Sequence, residues 1–244
     1  MNPSAKNLRP SAANIRAIAF DCYGTIIDFA APEFTRTLHE IARAQGVTVD
    51  AEALWDRFVE AARVFRGENT SAPAHRRYKE AWAFQFERAV RELGFQGDGR
   101  LAAARLKQEL AGAAAYAEVP GVLAALRPRY RLAVLSNADD DFLHACLARN
   151  RLEFDAVVSS EIAGALKPDP AIFEHLARML GLERRHILYV GDNPMPDIVG
   201  ARRAGVPVVW LNRAGRPLPA DMPAPDAEIG ALSELPGILG CQRP

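Results

Sequence analysis

The feature that most constrains the fold of this chain is a regular alternation of short apolar runs with helical patterns. From Val119 onward, apolar runs at 131–135, 154–159, 186–190 and 207–211 are separated by helical stretches. Strands that alternate with helices form a parallel sheet covered by helices on both faces. The sequence therefore predicts an α/β fold with a doubly wound, Rossmann-like parallel-sheet core.

One more strand is predicted near the N-terminus, where an apolar run over residues 15–20 is closed by turn residues. This strand delivers Asp21 to its C-terminal end, and Gly24 is free to take the backbone angles of a sharp turn. Ligands in open parallel sheets bind at the C-terminal ends of the strands. A carboxylate held there by a rigid strand is positioned to act as a nucleophile.

Between this strand and the rest of the α/β pattern lies a block with helical patterns and no convincing strand. Two helices are predicted to begin near Pro32 and Asp50, and two more are predicted to cover roughly 73–93 and 100–115. Four antiparallel helices with short links form a small bundle, which we interpret as an inserted cap. The expected organisation is a flexible tail over 1–14, a Rossmann-like core over 15–28 and 116–244, and a four-helix cap over 29–115.

Polar side chains follow the apolar runs at several predicted strand ends. These are Asp21 with Thr25, Ser136 with Asn137, Lys167, and Asp192 with Asp197. Because strand ends lie along one edge of a parallel sheet, residues distant in sequence converge there. The Lys167 ammonium would lower the pKa of Asp21 and offset the charge on a bound anion. The carboxylates of Asp21 and Asp192 suit Mg²⁺, which prefers oxygen ligands.

These residues stand in four motifs that together resemble the haloacid dehalogenase superfamily of hydrolases. The motifs are FDCYGT (20–25), LSN (135–137), LKPDP (166–170) and VGDNPMPD (190–197). Each lies at a predicted strand end or in the loop that follows, and the order makes the set specific. The resemblance covers about 15–239, with the helical insert where that superfamily has its smaller, C1-type cap.

The resemblance implies a covalent aspartyl mechanism. Asp21 would attack an electrophilic centre, and Ser136 and Lys167 would hold the transferred group and stabilise its charge. Thr25 would bind the transferred group, hydrogen-bond the backbone of its own turn, or do both, and the second role is favoured. The candidate catalytic residues are Asp21, Thr25, Ser136 and Lys167, and the candidate substrate-binding residues are Tyr23, Ser136, Asn137 and Lys167.

The resemblance also implies a Mg²⁺ site. Asp192 and the backbone carbonyl of Tyr23 would hold the ion together with Asp21. Asp197 would act as a further carboxylate, directly or through water.

One position separates two branches of the superfamily. Its phosphatases carry a second Asp two residues after the nucleophile, which protonates the leaving group and then activates water. Here that position is Tyr23, and a pKa of about 10 makes tyrosine a poor acid–base catalyst near neutrality. The form Asp-x-Tyr-Gly-Thr resembles the L-2-haloacid dehalogenases, whose halide leaving group needs no proton. Leu211-Asn212-Arg213 also looks like that branch.

Three departures favour the phosphatase branch. The dehalogenases need no metal and have a small hydroxyl residue where Asp192 stands. Their cap arginine directly follows a Leu-Trp pair, whereas here Asp56 takes that place and Arg57 lies about 100° further round the helix. Their active-site tyrosine, six residues after the lysine, corresponds to Phe173.

A physical argument ranks the two branches. A second carboxylate beside a nucleophilic Asp raises the pKa of both groups, so Asp192 makes sense mainly with a cation present. We therefore favour a Mg²⁺-dependent phosphatase acting on a small anionic phosphomonoester. The alternatives are a metal-independent L-2-haloacid dehalogenase or other carbon-centre hydrolase and, because of Tyr23, an inactive ligand-binding scaffold.

The composition of the chain limits which binding partners and which cellular compartment we expect. The chain has 30 Lys and Arg against 30 Asp and Glu, so no global field favours nucleic acid or an anionic membrane. Its three Cys are far apart, which favours a reducing compartment, and no apolar run reaches membrane-spanning length. We expect a cytoplasmic monomer or homodimer without nucleic-acid or membrane partners.

Overall fold

The computed structural model of the protein describes residues 14–67 and 78–241. The predicted tail, apart from Asn14, and the predicted start of the third cap helix at Pro73 lie outside these residues. The described residues form two compact units. The first contains residues 14–28, 115–137 and 151–241, and the second contains 29–114, as far as it is described, with 138–150.

The described strands and helices follow the predicted alternation. The strands are β1 (Ala17–Phe20), β2 (Arg131–Ser136), β3 (Ala156–Ser159), β4 (Ile187–Gly191), β5 (Val208–Leu211) and β6 (Ala227–Ile229). The helices are α1 (Ala31–Ala44), α2 (Ala51–Gly67), α3 (Tyr78–Glu92), α4 (Gly99–Gly112), α5 (Val119–Leu126), α6 (Asp140–Arg149), α7 (Ser160–Ala163), α8 (Pro170–Leu180), α9 (Gly200–Ala204) and α10 (Leu235–Ile238).

The first unit is built on a parallel sheet of six strands in the order β3-β2-β1-β4-β5-β6. The chain builds outward from β1 to the β3 edge and then crosses to place β4 on the other side of β1. Ligands in open α/β sheets bind beyond the strand ends at such a reversal of strand order. The predicted doubly wound, Rossmann-like sheet is confirmed, and its reversal point lies between β1 and β4.

One face of the sheet packs against α8 and α9 in a large apolar cluster. It contains alternate residues of the strands, such as Leu135 and Tyr189, with Phe173 and Ile198 from the covering segments. The helix α8 begins at Pro170, and Asp169 caps it by accepting a hydrogen bond from the Ala171 amide at 2.9 Å. This cap fixes the end of the loop that carries Lys167.

The segment before α9 is not a regular α-helix. Residues Pro194–Val199 form a π-helical turn, and α9 follows directly. Pro194 and Pro196 lie in the first turn of this segment, where a missing backbone N–H costs no intrahelical hydrogen bond, so they are compatible with its start. Such π turns are frequent at functional sites, and this one carries Asp197.

The second unit is a helical bundle with buried side chains such as Leu54, Phe86 and Leu106. Besides α1 to α4 it includes α6, which lies in the range 116–244 predicted from the sequence to belong to the core. Contacts within the unit explain this grouping. Lys107 pairs with Asp141, and the Trp82 ring lies 5.4 Å from that of Phe142.

None of the helices in the described part of the chain combines the length and apolar character that crossing a bilayer requires.

Candidate active site

The sheet brings two predicted carboxylates to its reversal point. Asp21 follows β1 directly, and Asp192 follows the neighbouring strand β4. The Asp21 amide donates to the Val190 carbonyl at 2.8 Å, which continues the pairing of β1 and β4 past the end of β1. The backbone of the nucleophile candidate is therefore anchored to the neighbouring strand by a hydrogen bond.

Lys167 makes three short polar contacts with side chains from three other segments. Its Nζ lies 2.7 Å from Asp21 Oδ1, 2.8 Å from Asp197 Oδ1 and 2.7 Å from the Tyr189 hydroxyl. Only 2% of its side chain is exposed. The convergence of a carboxylate, an ammonium and a further carboxylate, predicted from residues far apart in sequence, is present in the structure.

Asn137 anchors the loop that carries this lysine. Its Nδ2 donates to the Lys167 carbonyl at 3.1 Å, and its Oδ1 accepts from the Lys167 amide at 2.7 Å. Both ends of the amide thus bond the Lys167 backbone. A substrate contact by Asn137 stays a prediction.

Three carboxylates form a cluster that can hold a cation. Asp21, Asp192 and Asp197 each offer an oxygen, and these oxygens lie within 4.8 Å of one another. Thr25 Oγ1 donates to Asp192 Oδ1 at 2.9 Å, so the hydroxyl bonds a carboxylate of the cluster. The favoured prediction for Thr25, a bond to the backbone of its own turn, is not the contact that its hydroxyl makes here.

Asp197 faces the lysine with one oxygen and the backbone with the other. Its Oδ1 accepts from Lys167 and lies 3.1 Å from the Tyr189 hydroxyl, while its Oδ2 accepts from the Asn193 amide at 2.9 Å. The residue is completely buried. With both oxygens engaged, Asp197 is better placed to act through Lys167 or water than as a direct metal ligand.

The electrostatics of the cluster follow from burial and crowding. Burial raises the pKa of Asp21 to about 6, although the Lys167 ammonium acts to lower it, so the expected lowering is outweighed. Burial and the nearby charges of Asp21 and Asp197 raise the pKa of Asp192 to about 7. Burial acts to lower the pKa of Lys167, but the two carboxylates that it contacts raise it overall. The lysine is therefore charged at neutral pH, whereas Asp192 is only partly ionised there.

The remaining candidates lie at the same edge of the sheet. Ser136 is the last residue of β2 and is buried, and Tyr23 is half-buried in the turn after Asp21. Their roles stay predictions that rest on these positions.

Comparison with known proteins places the chain in a family. A profile of haloacid dehalogenase-like hydrolases matches residues 15–205. The chain belongs to the haloacid dehalogenase-like hydrolase family. The match spans all four motifs and agrees with the resemblance inferred from them.

Relatives of this hydrolase carry out two different reactions. It is 32% identical over 212 residues to haloacetate dehalogenase H-2 of Moraxella sp. (strain B), covering 82% of this chain and 87% of that protein. It is 27% identical to N-acylneuraminate-9-phosphatase of Mus musculus, covering 93% and 94% of the two chains. The fold matches L-2-haloacid dehalogenase from Xanthobacter autotrophicus with a TM-score of 0.74 at 23% identity, covering 93% and 98% of the two chains. These similarities establish a hydrolase and leave the branch open.

Two residues that contact the site of the hydrolase were missed by sequence reasoning. Tyr189 on β4 reaches Lys167 and Asp197 through its hydroxyl, and Trp210 on β5 donates from Nε1 to the Asp192 carbonyl at 3.0 Å. A usable signal was present. A phenol or indole inside a buried strand needs a polar partner, and Tyr189 lies in β4, the strand that Asp192 follows.

Arg213, noted for its resemblance to the dehalogenase branch, supports the first turn of the hydrolase. Its Nη1 lies 2.6 Å from Glu118 Oε1, its Nη2 donates to the Thr25 carbonyl at 3.1 Å, and its guanidinium lies 3.9 Å from the centre of the Tyr116 ring. These contacts hold the turn that contains Thr25 against the start of α5. They give Arg213 a structural role in either branch.

Replacing Gly24 with alanine is expected to displace Asp192 from the cluster of three carboxylates. Gly24 has a φ of +87°, and an added Cβ would lie 2.6 Å from Asp192 Oδ2. Gly94 has the same φ, with nothing within 4 Å of its added Cβ, so Gly94→Ala is a matched control. Both variants carry the cost of a left-handed alanine, about 1 kcal/mol. Gly24→Ala must in addition displace Asp192, and its turnover should fall at least about 10-fold, since a displacement near 1 Å is enough for such losses. Turnover equal to that of Gly94→Ala would contradict the assignment of Asp192 to the site.

Proposed function

We propose that this hydrolase is a Mg²⁺-dependent phosphatase that acts on a small anionic phosphomonoester through a covalent intermediate on Asp21. The observation that carries the proposal is the Asp192 carboxylate beside those of Asp21 and Asp197. Lys167 contacts this cluster with one positive charge against three carboxylates. The carboxylate of Asp192 repels that of Asp21 and so disfavours its ionised form. An enzyme that uses ionised Asp21 as its nucleophile therefore needs a further cation to offset this repulsion.

The donor set fits Mg²⁺. All the side-chain donors are carboxylate oxygens, which hard divalent cations prefer. Asp21, Asp192 and the backbone carbonyl of Tyr23 would hold the ion, and Asp197, already engaged with Lys167, would act through water. When bound, the ion would supply positive charge to the carboxylates and to the phosphoryl oxygens of the substrate.

Each side chain of the site would have a separate role in the reaction. A carboxylate oxygen of Asp21 attacks phosphorus, the P–O bond to the alcohol breaks, and the alkoxide takes a proton from water. Water then hydrolyses the aspartyl phosphate, releasing inorganic phosphate and restoring Asp21. Lys167 would favour the ionised form of Asp21, and Ser136 would bind a phosphoryl oxygen. Tyr23 cannot replace the usual acid, so esters of acidic alcohols should react fastest.

A second candidate is a metal-independent L-2-haloacid dehalogenase. Tyr23 favours it, because a halide leaves without a proton, and so does the similarity to haloacetate dehalogenase H-2. In that reaction Asp21 would attack the carbon that bears the halogen, and water would hydrolyse the resulting ester.

Parallel product assays separate the two candidates. We expect purified protein to release phosphate from p-nitrophenyl phosphate at least about 10²-fold faster with excess Mg²⁺ than with EDTA. Under the same conditions, L-2-chloropropionate should yield no chloride. Chloride release in EDTA without any phosphate release would reverse the ranking, and release of neither product would favour an inactive scaffold.

A further inference from the structure

The Tyr189 hydroxyl is buried in the core and contacts residues of the candidate active site. The residue is fully buried in β4, and its ring is held edge-on against Phe173, with centroids 5.2 Å apart. Its oxygen accepts from Lys167 Nζ at 2.7 Å, and its proton can go to the Leu135 carbonyl at 3.2 Å or to Asp197 Oδ1 at 3.1 Å. The hydroxyl therefore links the lysine to the backbone of β2 and to Asp197.

An ammonium group has three N–H donors, and Lys167 uses all three on protein groups. Two go to the carboxylates of Asp21 and Asp197, and the third goes to the Tyr189 oxygen. With its side chain almost fully buried, the lysine would keep one donor without a partner if that oxygen were missing. The ammonium would then be free to shift towards either carboxylate or towards substrate.

The Tyr189 hydroxyl also stays protonated. Burial and the nearby carboxylate of Asp197 raise its pKa well above the usual value. A neutral phenol accepts one hydrogen bond from the ammonium and donates another, so it orients Lys167 without adding charge to the cluster.

We propose that Tyr189 is a positioning residue that fixes the Lys167 ammonium against Asp21, and so sets the reactivity of that carboxylate. The inference rests on the proposed role of Asp21 as the nucleophile. All three N–H donors of Lys167 bond protein groups. The lysine therefore orients Asp21 and offsets its charge, and does not contact the transferred group directly.

The test is Tyr189→Phe, which removes one oxygen and keeps the ring against Phe173. We expect kcat for p-nitrophenyl phosphate to fall about 10- to 100-fold with KM within about twofold of wild type, since a misplaced group near the chemistry has effects of this size. The matched control is Tyr130→Phe, which removes a hydroxyl before the start of β2, at the opposite end of that strand from Ser136. The control should match wild type in both constants.

A second measurement reports on the lysine without any turnover. In protein labelled with ¹³C at lysine Cε, the Lys167 signal is identified by its loss in Lys167→Met. This signal should shift or broaden in Tyr189→Phe and stay unchanged in Tyr130→Phe. A Tyr189→Phe enzyme with wild-type kcat would overturn the inference while leaving the phosphatase proposal standing. If wild-type protein releases no phosphate, the phosphatase proposal fails, and an unchanged Lys167 signal would overturn the positioning role as well.

Discussion

Replacing Asp21 with asparagine should lower kcat for p-nitrophenyl phosphate by at least about 10³-fold, the size of effect expected when a covalent nucleophile is removed. Asparagine has nearly the same shape and can still accept a hydrogen bond from Lys167. The Asp21 amide keeps its bond to the Val190 carbonyl, so the end of β1 should stay in place. The loss would therefore report chemistry and not folding.

The control for this variant is Asp169→Asn. Asp169 caps α8 through the Ala171 amide, and asparagine caps a helix as well as aspartate does. Its kcat should match that of wild type. An Asp21→Asn enzyme that keeps more than a tenth of the wild-type rate would show that Asp21 is not the nucleophile, in the phosphatase or the dehalogenase branch.

Replacing Asp192 with asparagine should have opposite effects on activity and on stability. Phosphate release should fall at least about 10²-fold, because a metal ligand is lost. Metal-free protein at pH 7.5 should instead be stabilised by about 2 kcal/mol, because a buried charge beside Asp21 is removed while Thr25 keeps a hydrogen-bond acceptor.

The sign of the stability change follows from proton linkage. In the folded, metal-free protein the pKa of Asp192 is raised from 3.8 to about 7, and that of Asp21 is raised from 3.8 to about 6. Between these limits the folded state binds more protons than the unfolded state, so the free energy of unfolding falls as pH rises from about 4 to about 7. Removing the Asp192 carboxyl removes part of that fall.

Chemical denaturation at several pH values, with EDTA and with Mg²⁺, measures these effects. Wild-type protein should lose stability from pH 5 to pH 7.5 in EDTA and regain about 2.7 kcal/mol when Mg²⁺ is present at about 100 times its Kd. Asp192→Asn should show a smaller loss and little gain, whereas Asp169→Asn should behave as wild type. A wild-type protein whose stability is insensitive to both pH and Mg²⁺ would contradict the proposed origin of the raised pKa values.

The sheet and the main site residues could be predicted because their signals are local. Each strand is a short apolar run, and each of Asp21, Lys167 and Asp192 follows such a run or lies in the loop after it. A parallel sheet brings those ends together whatever lies between them in sequence. The position of the nucleophile candidate at the reversal of strand order follows from the same rule.

The hydrogen-bond partners could not be predicted, because they depend on packing between distant segments. Thr25 bonds Asp192 across 167 positions, and Asn137 bonds the backbone of Lys167 across 30. In the sequence, Tyr189 is one more residue of the buried strand β4. Its contact with Lys167 becomes apparent only when the fold places the loop that carries Lys167 beside this strand. The grouping of α6 with the helical unit likewise depends on contacts with α3 and α4 that no local pattern encodes.

The proposed phosphatase reaction requires a divalent cation between Asp21 and Asp192. Crystals soaked in Mn²⁺, a stand-in for Mg²⁺ with measurable anomalous scattering, test it most directly. We predict an anomalous difference peak within about 2.2 Å of a carboxylate oxygen of each residue. Crystals of Asp192→Asn soaked in the same way should show no such peak. A wild-type map without a peak at these carboxylates, from crystals that release no phosphate in Mg²⁺, would contradict the proposal.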